Sequence, residues 1–224
     1  MVFDFFRGSS GPQGIDAVEA QIVQMVRDSR TVFETSMSAV FGGGKSTEAN
    51  QEVSQTDQGI NEAQQDVRRT LMMHASVQGD VDLPLVLTYM SVVKDAERIG
   101  DYAKNLYDLA KFGVDFEVAP DRAELEGYCE NVDRLLGDAA DAFEKSDSER
   151  AQQLIDKADG FLDDYDDHVQ AAYESQGPAS DAVARTLYYR FLKRITAHVM
   201  NLLTSLVMPV DRLDYYDEAR DDRD

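Results

Sequence analysis

The chain has 224 residues, 43 acidic against 22 basic side chains, and a formal net charge of −21. A hydrophobic content of 43% is ordinary for a folded protein, and the length suffices for one domain or two small ones. A negative field of this size repels nucleic-acid phosphates and anionic membrane surfaces, so no direct nucleic acid binding is expected. Asp outnumbers Glu, Arg outnumbers Lys, and the acids are spread along the whole chain. That pattern fits a protein adapted to high salt, where acidic surfaces stay hydrated and salt screens their repulsion.

Cys129 is the single cysteine, so no intrachain disulfide can form and a cytosolic compartment is expected. Met1 to Gly14 lacks the apolar run of a secretory signal. No stretch of about 18 consecutive apolar residues exists to span a membrane. The expectation is a cytoplasmic protein, at most peripheral to a membrane through a partner.

Met1 to Gly14 reads as a tail, with Val2-Phe3-Asp4-Phe5-Phe6 followed by a Gly/Ser/Pro stretch; its aromatics are expected to pack back or fray. From Ile15 to Phe41 apolar residues recur at Val18, Ile22, Met25, Val26, Val32, Phe33, Met37 and Val40, which is helical spacing. Gly42-Gly43-Gly44-Lys45-Ser46-Thr47 superficially resembles a phosphate-binding loop. The required earlier glycine is replaced by Ala39, and a helix precedes it where a strand is needed. It reads as a helical hairpin turn, with Ser46 or Thr47 capping the next helix.

The second helix is expected from about 47 to 78, with a thin apolar stripe: Val53, Ile60, Ala63, Val67, Leu71 and Val77. The third runs from about 81 to 113, with Pro84 in its first turn. Its apolar face carries Leu85, Tyr89, Val92, Ala96, Ala103, Tyr107 and Ala110, and Glu97, Asp101 and Asn105 lie together on the flank. Residues 114–120 form a linker. Further helices are expected over about 121–145, 148–175 and 179–216, then an acidic tail over 218–224. No segment alternates with period two, so no sheet is expected.

The pattern is helix-helix-helix, linker, helix-helix-helix. A shift of 96 residues places Arg98, Ile99, Asn105 and Leu106 on Arg194, Ile195, Asn201 and Leu202, and Tyr102 on His198. A duplicated three-helix unit is the simplest explanation. The fold class is therefore all-α: two tandem three-helix bundles, over 15–113 and 121–217. In the second copy Lys193 and Ala197 stand where the first has Glu97 and Asp101. The earlier helices correspond more loosely, Asp57-Gln58-Gly59-Ile60-Asn61 resembling Asp159-Gly160-Phe161-Leu162-Asp163.

Catalytic signatures are missing. His74, His168 and His198 are scattered, and none completes a Glu-x-x-His pair. No zinc motif and no nucleophile elbow is present, and no enzyme activity is expected. His198 is expected as a satisfied packing or surface residue, and Cys129 as a small helix residue. Metal binding has more support. Glu97 and Asp101, joined by Asp57 or Asn61 from the second helix, make an oxygen-rich patch of the kind hard or borderline cations use: Mg, Mn, Ca or Fe, with Zn also considered. On the duplicated side Asp159 and Asp163 remain, facing Lys193. A second reading stays open beside it. Lys94–Glu97, Arg98–Asp101 and Lys104–Asp108 all have salt-bridge spacing.

Glu97-Arg98-Ile99-Gly100-Asp101 with Asn105, on the third helix of a duplicated triplet, resembles the signature of the PhoU family over about 15–216. The resemblance implies two three-helix bundles and multinuclear metal clusters held by acidic Glu/Asp-x-x-x-Asp motifs. It implies a negative regulator of phosphate uptake that contacts the phosphate ABC transporter, with its ATPase subunit the candidate contact, and in bacteria a phosphate-sensing histidine kinase. A homodimer or higher oligomer is expected. The alternatives are an accessory subunit of a secondary phosphate transporter, which shares the helical fold, a carboxylate-cluster metalloenzyme, and a structural helical adaptor. Lys193 and Ala197 depart from the pattern and point away from a second cluster.

Overall fold

The computed structural model describes residues 14–44, 46–78 and 82–213. Of the tails expected over 1–14 and 218–224, all but Gly14 lies outside them. Six long helices are present among the described residues, and no strand: α1 Ile15–Ser38, α2 Thr47–Gln78, α3 Leu83–Lys111, α4 Arg122–Glu144, α5 Ser148–Glu174 and α6 Ala179–Thr204.

Local chemistry sets most of the boundaries. Ser46 Oγ accepts from Ala49 N at 3.0 Å and caps α2. Pro84 stands in the first turn of α3, and Gly113 beyond its end takes φ +90°. Asp147 caps α5 by accepting from Arg150 N at 2.9 Å. Pro178 is the N-cap of α6.

The turn after α1 is tied to the interbundle linker. A π-type turn over Ala39–Gly43 ends α1, and Gly42 takes φ +99°. A Cβ at Gly42 would lie 2.7 Å from Glu117 Oε2, and Phe116 N donates to Val40 O at 2.8 Å. Glycine is needed there for its backbone angle, since the Glu117 side chain could move aside.

The sixth helix is shorter than its periodicity suggested. It ends at Thr204, short of 216, and gives way to turns and a single 3-10 turn over Val210–Arg212. Turn bonds carry on as far as Met208 N, which donates to Thr204 O at 2.8 Å, and Pro209 stops them there: it lacks an N–H, and it disfavours the helical conformation for Met208. Two apolar positions also depart from expectation. Leu85 and Val77 are 39% and 82% exposed, because both sit at the α2–α3 tip beyond the reach of the neighbouring helices.

Helices α1–α3 pack on one another, as do α4–α6, and the triplets join through α1 on α4 and α3 on α6. Their buried apolar residues form one continuous cluster running from Val18 to Leu213. The two triplets thus share a core. Arg30 reaches across from α1 to hold Asp133 of α4 through two bonds of 2.7 and 2.8 Å, lying over Gly137. Arg27 holds Glu144 at 2.8 Å. These pairs run antiparallel, and so do α3 and α6.

Candidate functional site

The acidic patch of α3 is built on a close helix crossing. Gly100 is buried, and a Cβ there would lie 2.9 Å from Ile60 Cδ1 of α2 and 3.1 Å from Ser29 Oγ of α1. The glycine of the Glu-Arg-Ile-Gly-Asp run thus lets α1 and α2 approach α3, leaving Glu97 and Asp101 along the α2–α3 seam.

The protein's own cations meet these acids. Arg98 Nη1 donates to Asp101 Oδ2 at 3.2 Å and Arg98 Nε lies 3.7 Å from Glu97. Lys104 donates to Asp57 Oδ2 of α2 at 2.6 Å. The expected Lys104–Asp108 pairing is replaced, since Asp108 accepts from Lys111 at 2.9 Å. Asn61 turns its amide to the backbone oxygen of Asp57 at 2.9 Å. Compensation is incomplete at Glu97. Burial raises its pKa, Asp101 and Asp57 raise it further, and Arg98 and Arg68 only partly oppose them. Hydrogen bonding to Asp57 holds the Lys104 ammonium above its ordinary range.

The structure thus brings Asp57, Glu97 and Asp101 into one electrostatic neighbourhood, with Lys104 and Arg98 interleaved. A cation centre needs several oxygens turned to one point. Among the described residues, no three His, Cys, Asp or Glu side chains gather in a way that could hold a metal ion. As arranged, the patch does not fit a metal centre. Asp159 and Asp163 lie on α5. Lys193, expected to face them, forms its ion pair with Asp166 one turn further on.

The most buried polar assembly lies elsewhere, where α3 crosses α6. His198 Nδ1 lies 2.8 Å from Asp95 Oδ1, and both residues are buried. Arg194 Nη2 lies 3.1 Å from His198 Nε2. Arginine can only donate, so Nε2 accepts and Nδ1 carries the proton given to Asp95. Asn201 Nδ2 donates to the same Asp95 oxygen at 3.4 Å. Tyr102 stacks on His198, and Arg194 Nε donates to the Tyr102 hydroxyl at 3.3 Å. His198 is thus the satisfied packing histidine that its place suggested. Asp95 and Asn201 had gone unassigned. Their signal was present as a polar stripe, Arg194, His198 and Asn201, at helical spacing inside an apolar helix.

The second bundle carries an aromatic cluster. His168 stacks on Tyr189 with centroids 4.4 Å apart and approaches the Tyr128 hydroxyl at 2.8 Å. Cys129 is buried against Tyr188, and burial pushes its thiol pKa up to about 12, which leaves no thiolate for chemistry at neutral pH. No described helix is long and apolar enough to cross a membrane.

Comparison with known proteins agrees with this architecture. Residues 22–110, which span most of the first bundle, match the model of the PhoU domain. The chain is 23% identical over 196 residues to the phosphate-specific transport system accessory protein PhoU homolog of Synechocystis, covering 85% of this chain and 86% of the relative. PhoU from Pseudomonas aeruginosa has the same fold, with a TM-score of 0.74 at 20% identity, covering 89% of this chain and 96% of that one. The phosphate transport system regulatory protein PhoU from Streptococcus pneumoniae is similar at a TM-score of 0.73 and 18% identity, over 88% and 93% of the two chains. The chain is thus similar to PhoU proteins in three ways: residues 22–110 resemble the PhoU domain, most of the chain resembles the Synechocystis accessory protein, and the fold is that of the two solved PhoU structures.

Proposed function

We propose that the protein is a negative regulator of phosphate uptake that acts by direct contact with a phosphate transporter on its cytoplasmic side. One observation carries the reading. The likeness extends over 86% of the Synechocystis accessory protein and 96% of the Pseudomonas chain, so both bundles correspond and not the first alone. The protein's two bundles share one core and present a rigid body to a partner.

Phosphate uptake in cells with and without the gene tests this. Deletion should raise uptake when phosphate is plentiful; unchanged uptake would leave only a structural adaptor. Co-purification then identifies the transporter. Recovery of an ABC transporter's ATPase subunit supports the first form of the proposal, and recovery of a secondary phosphate carrier the second. Failure to recover either, at both high and low phosphate, would sink the contact. No step here runs through a metal. A cation held at Glu97 and Asp101 would appear as bound metal that the Glu97→Gln/Asp101→Asn variant loses, and equal content in both proteins removes that site.

A further inference from the structure

A protein that works by contact needs an apolar surface that folding leaves open. One is concave. The linker after α3 and the first turns of α6 enclose a groove of about 850 Å³. Its floor is formed by Leu109, Val114 and Ala184. Its edges are large apolar side chains turned to solvent: Phe112 is 81% exposed, Val118 83% and Val183 57%. Three large apolar side chains exposed together beside a concave apolar face are a feature of interaction sites.

The chemistry of the rim selects the occupant. Asp115 and Asp181 line the groove, and Glu117 and Asp121 flank it. The nearby cations are already engaged. Arg185 holds Asp121 and Asp181, and Arg122 holds Glu117 and Glu126. Five carboxylates, Asp115, Glu117, Asp121, Glu126 and Asp181, thus face two guanidiniums at this end, on a chain whose net charge is −21. An acidic or neutral polar segment gains nothing here. A segment with an apolar face and basic flanks satisfies both the floor and the rim.

We infer that this groove is the docking site for a basic amphipathic helical segment of the partner protein. The inference rests on the contact reading above and adds the face used and the chemistry of what it takes. Leucine-type anchors would seat on Ala184 and Val114 between Phe112 and Val183, and Lys or Arg would lie over Asp115 and Asp181.

A fluorescent peptide of about 18 residues, with Leu at helical spacing and Lys elsewhere, is a suitable probe. Its companions are a Glu-for-Lys version and a shuffled version of the same composition. The patterned basic peptide should bind the full chain. The Val118→Lys/Val183→Lys variant, changed only at exposed positions, should weaken binding at least about tenfold. A control, Leu87→Lys at the far end of the molecule, should leave it within about twofold. Equal binding of the shuffled peptide, or equal loss in the control, would reduce the effect to nonspecific charge and overturn the inference. Sedimentation supplies a second check: a wild-type oligomer dissociated by the double variant would make the occupant a second copy, also overturning it. In cells the two readings separate. If deletion changes phosphate uptake but the double variant restores it fully, the groove is wrong and the regulator stands. If deletion changes nothing, the regulator falls and the peptide result alone decides the groove.

Discussion

Tyr102 of α3 stacks on His198 of α6, ring centroids 5.7 Å apart and planes within 17°. The two are the same position in the two halves of the chain, related by the shift of 96 residues. Equivalent residues that touch each other must lie on the axis relating the halves. The surrounding contacts obey the same operation. Asp95 on His198 and Phe191 on Tyr102 are mates, because 95 maps to 191 and 102 to 198. One mate is a buried polar pair and the other is aromatic, with centroids 6.1 Å apart. The duplication is therefore geometric as well as sequential, and its asymmetry is chemical.

That asymmetry can be tested by making the polar mate apolar. Asp95→Leu leaves the His198 N–H without its acceptor in a buried crossing and should cost about 2 kcal/mol. His198→Phe alone leaves the buried Asp95 carboxylate with only the long bond from Asn201 and should cost at least as much. The Asp95→Leu/His198→Phe variant should recover at least half of the summed losses, since the buried carboxylate and its imidazole donor are removed together. Urea midpoints of the four proteins measure this; strict additivity would show that the pair does not interact.

Glu97 gives a pH dependence of defined sign. Burial and then Asp101 raise its folded pKa above the unfolded value of about 4.3. The folded state therefore holds the proton more tightly, and this residue's contribution to stability falls as pH rises through that window. Glu97→Gln should be more stable than wild type at pH 7, and the advantage should vanish at about pH 3, below the unfolded value. Chemical denaturation at the two pH values measures it. A less stable variant at pH 7 would mean that Arg98 and Arg68 outweigh burial.

Asp121 should show the opposite slope. Hydrogen bonds from Arg185 hold its carboxyl below the ordinary aspartate range. Its stabilisation is thus present above the unfolded pKa of about 3.9 and is lost as pH falls through the folded value. The pair is partly exposed, so Asp121→Asn should cost only about 1 kcal/mol at pH 7, and close to nothing at about pH 2. A loss that persists unchanged in acid would assign the effect to packing.

Net charge makes a prediction about salt. With 43 acids against 22 bases, self-repulsion outweighs what the surface ion pairs contribute. Raising KCl from about 0.1 to about 2 M should therefore raise the melting temperature by several degrees. A lower melting temperature in salt would mean that the ion pairs dominate and would remove the case for salt adaptation.

The local terms were written in the sequence. Helical periodicity gave all six helices, because each buries one stripe and the stripe repeats every 3.6 residues. Ser46, Pro84, Gly113 and Pro178 mark boundaries through local backbone chemistry that needs no partner. The duplication was legible because the two third helices share Arg, Ile, Asn and Leu in register. Periodicity alone carried α6 too far, since the apolar pattern continues past Thr204 while Pro209 interrupts the backbone. What only the tertiary structure decided is which side chains meet. Lys104 has acids within reach on its own helix, yet it bonds Asp57 of α2, because packing sets that distance. Asp95 and His198 stand 103 positions apart, and nothing along the chain links them until the antiparallel crossing of α3 and α6 does. The packing of α2 on α3 turns the Glu97 patch into a seam shared with Arg98 and Lys104, and the groove at the C-terminal end of α3 stays open.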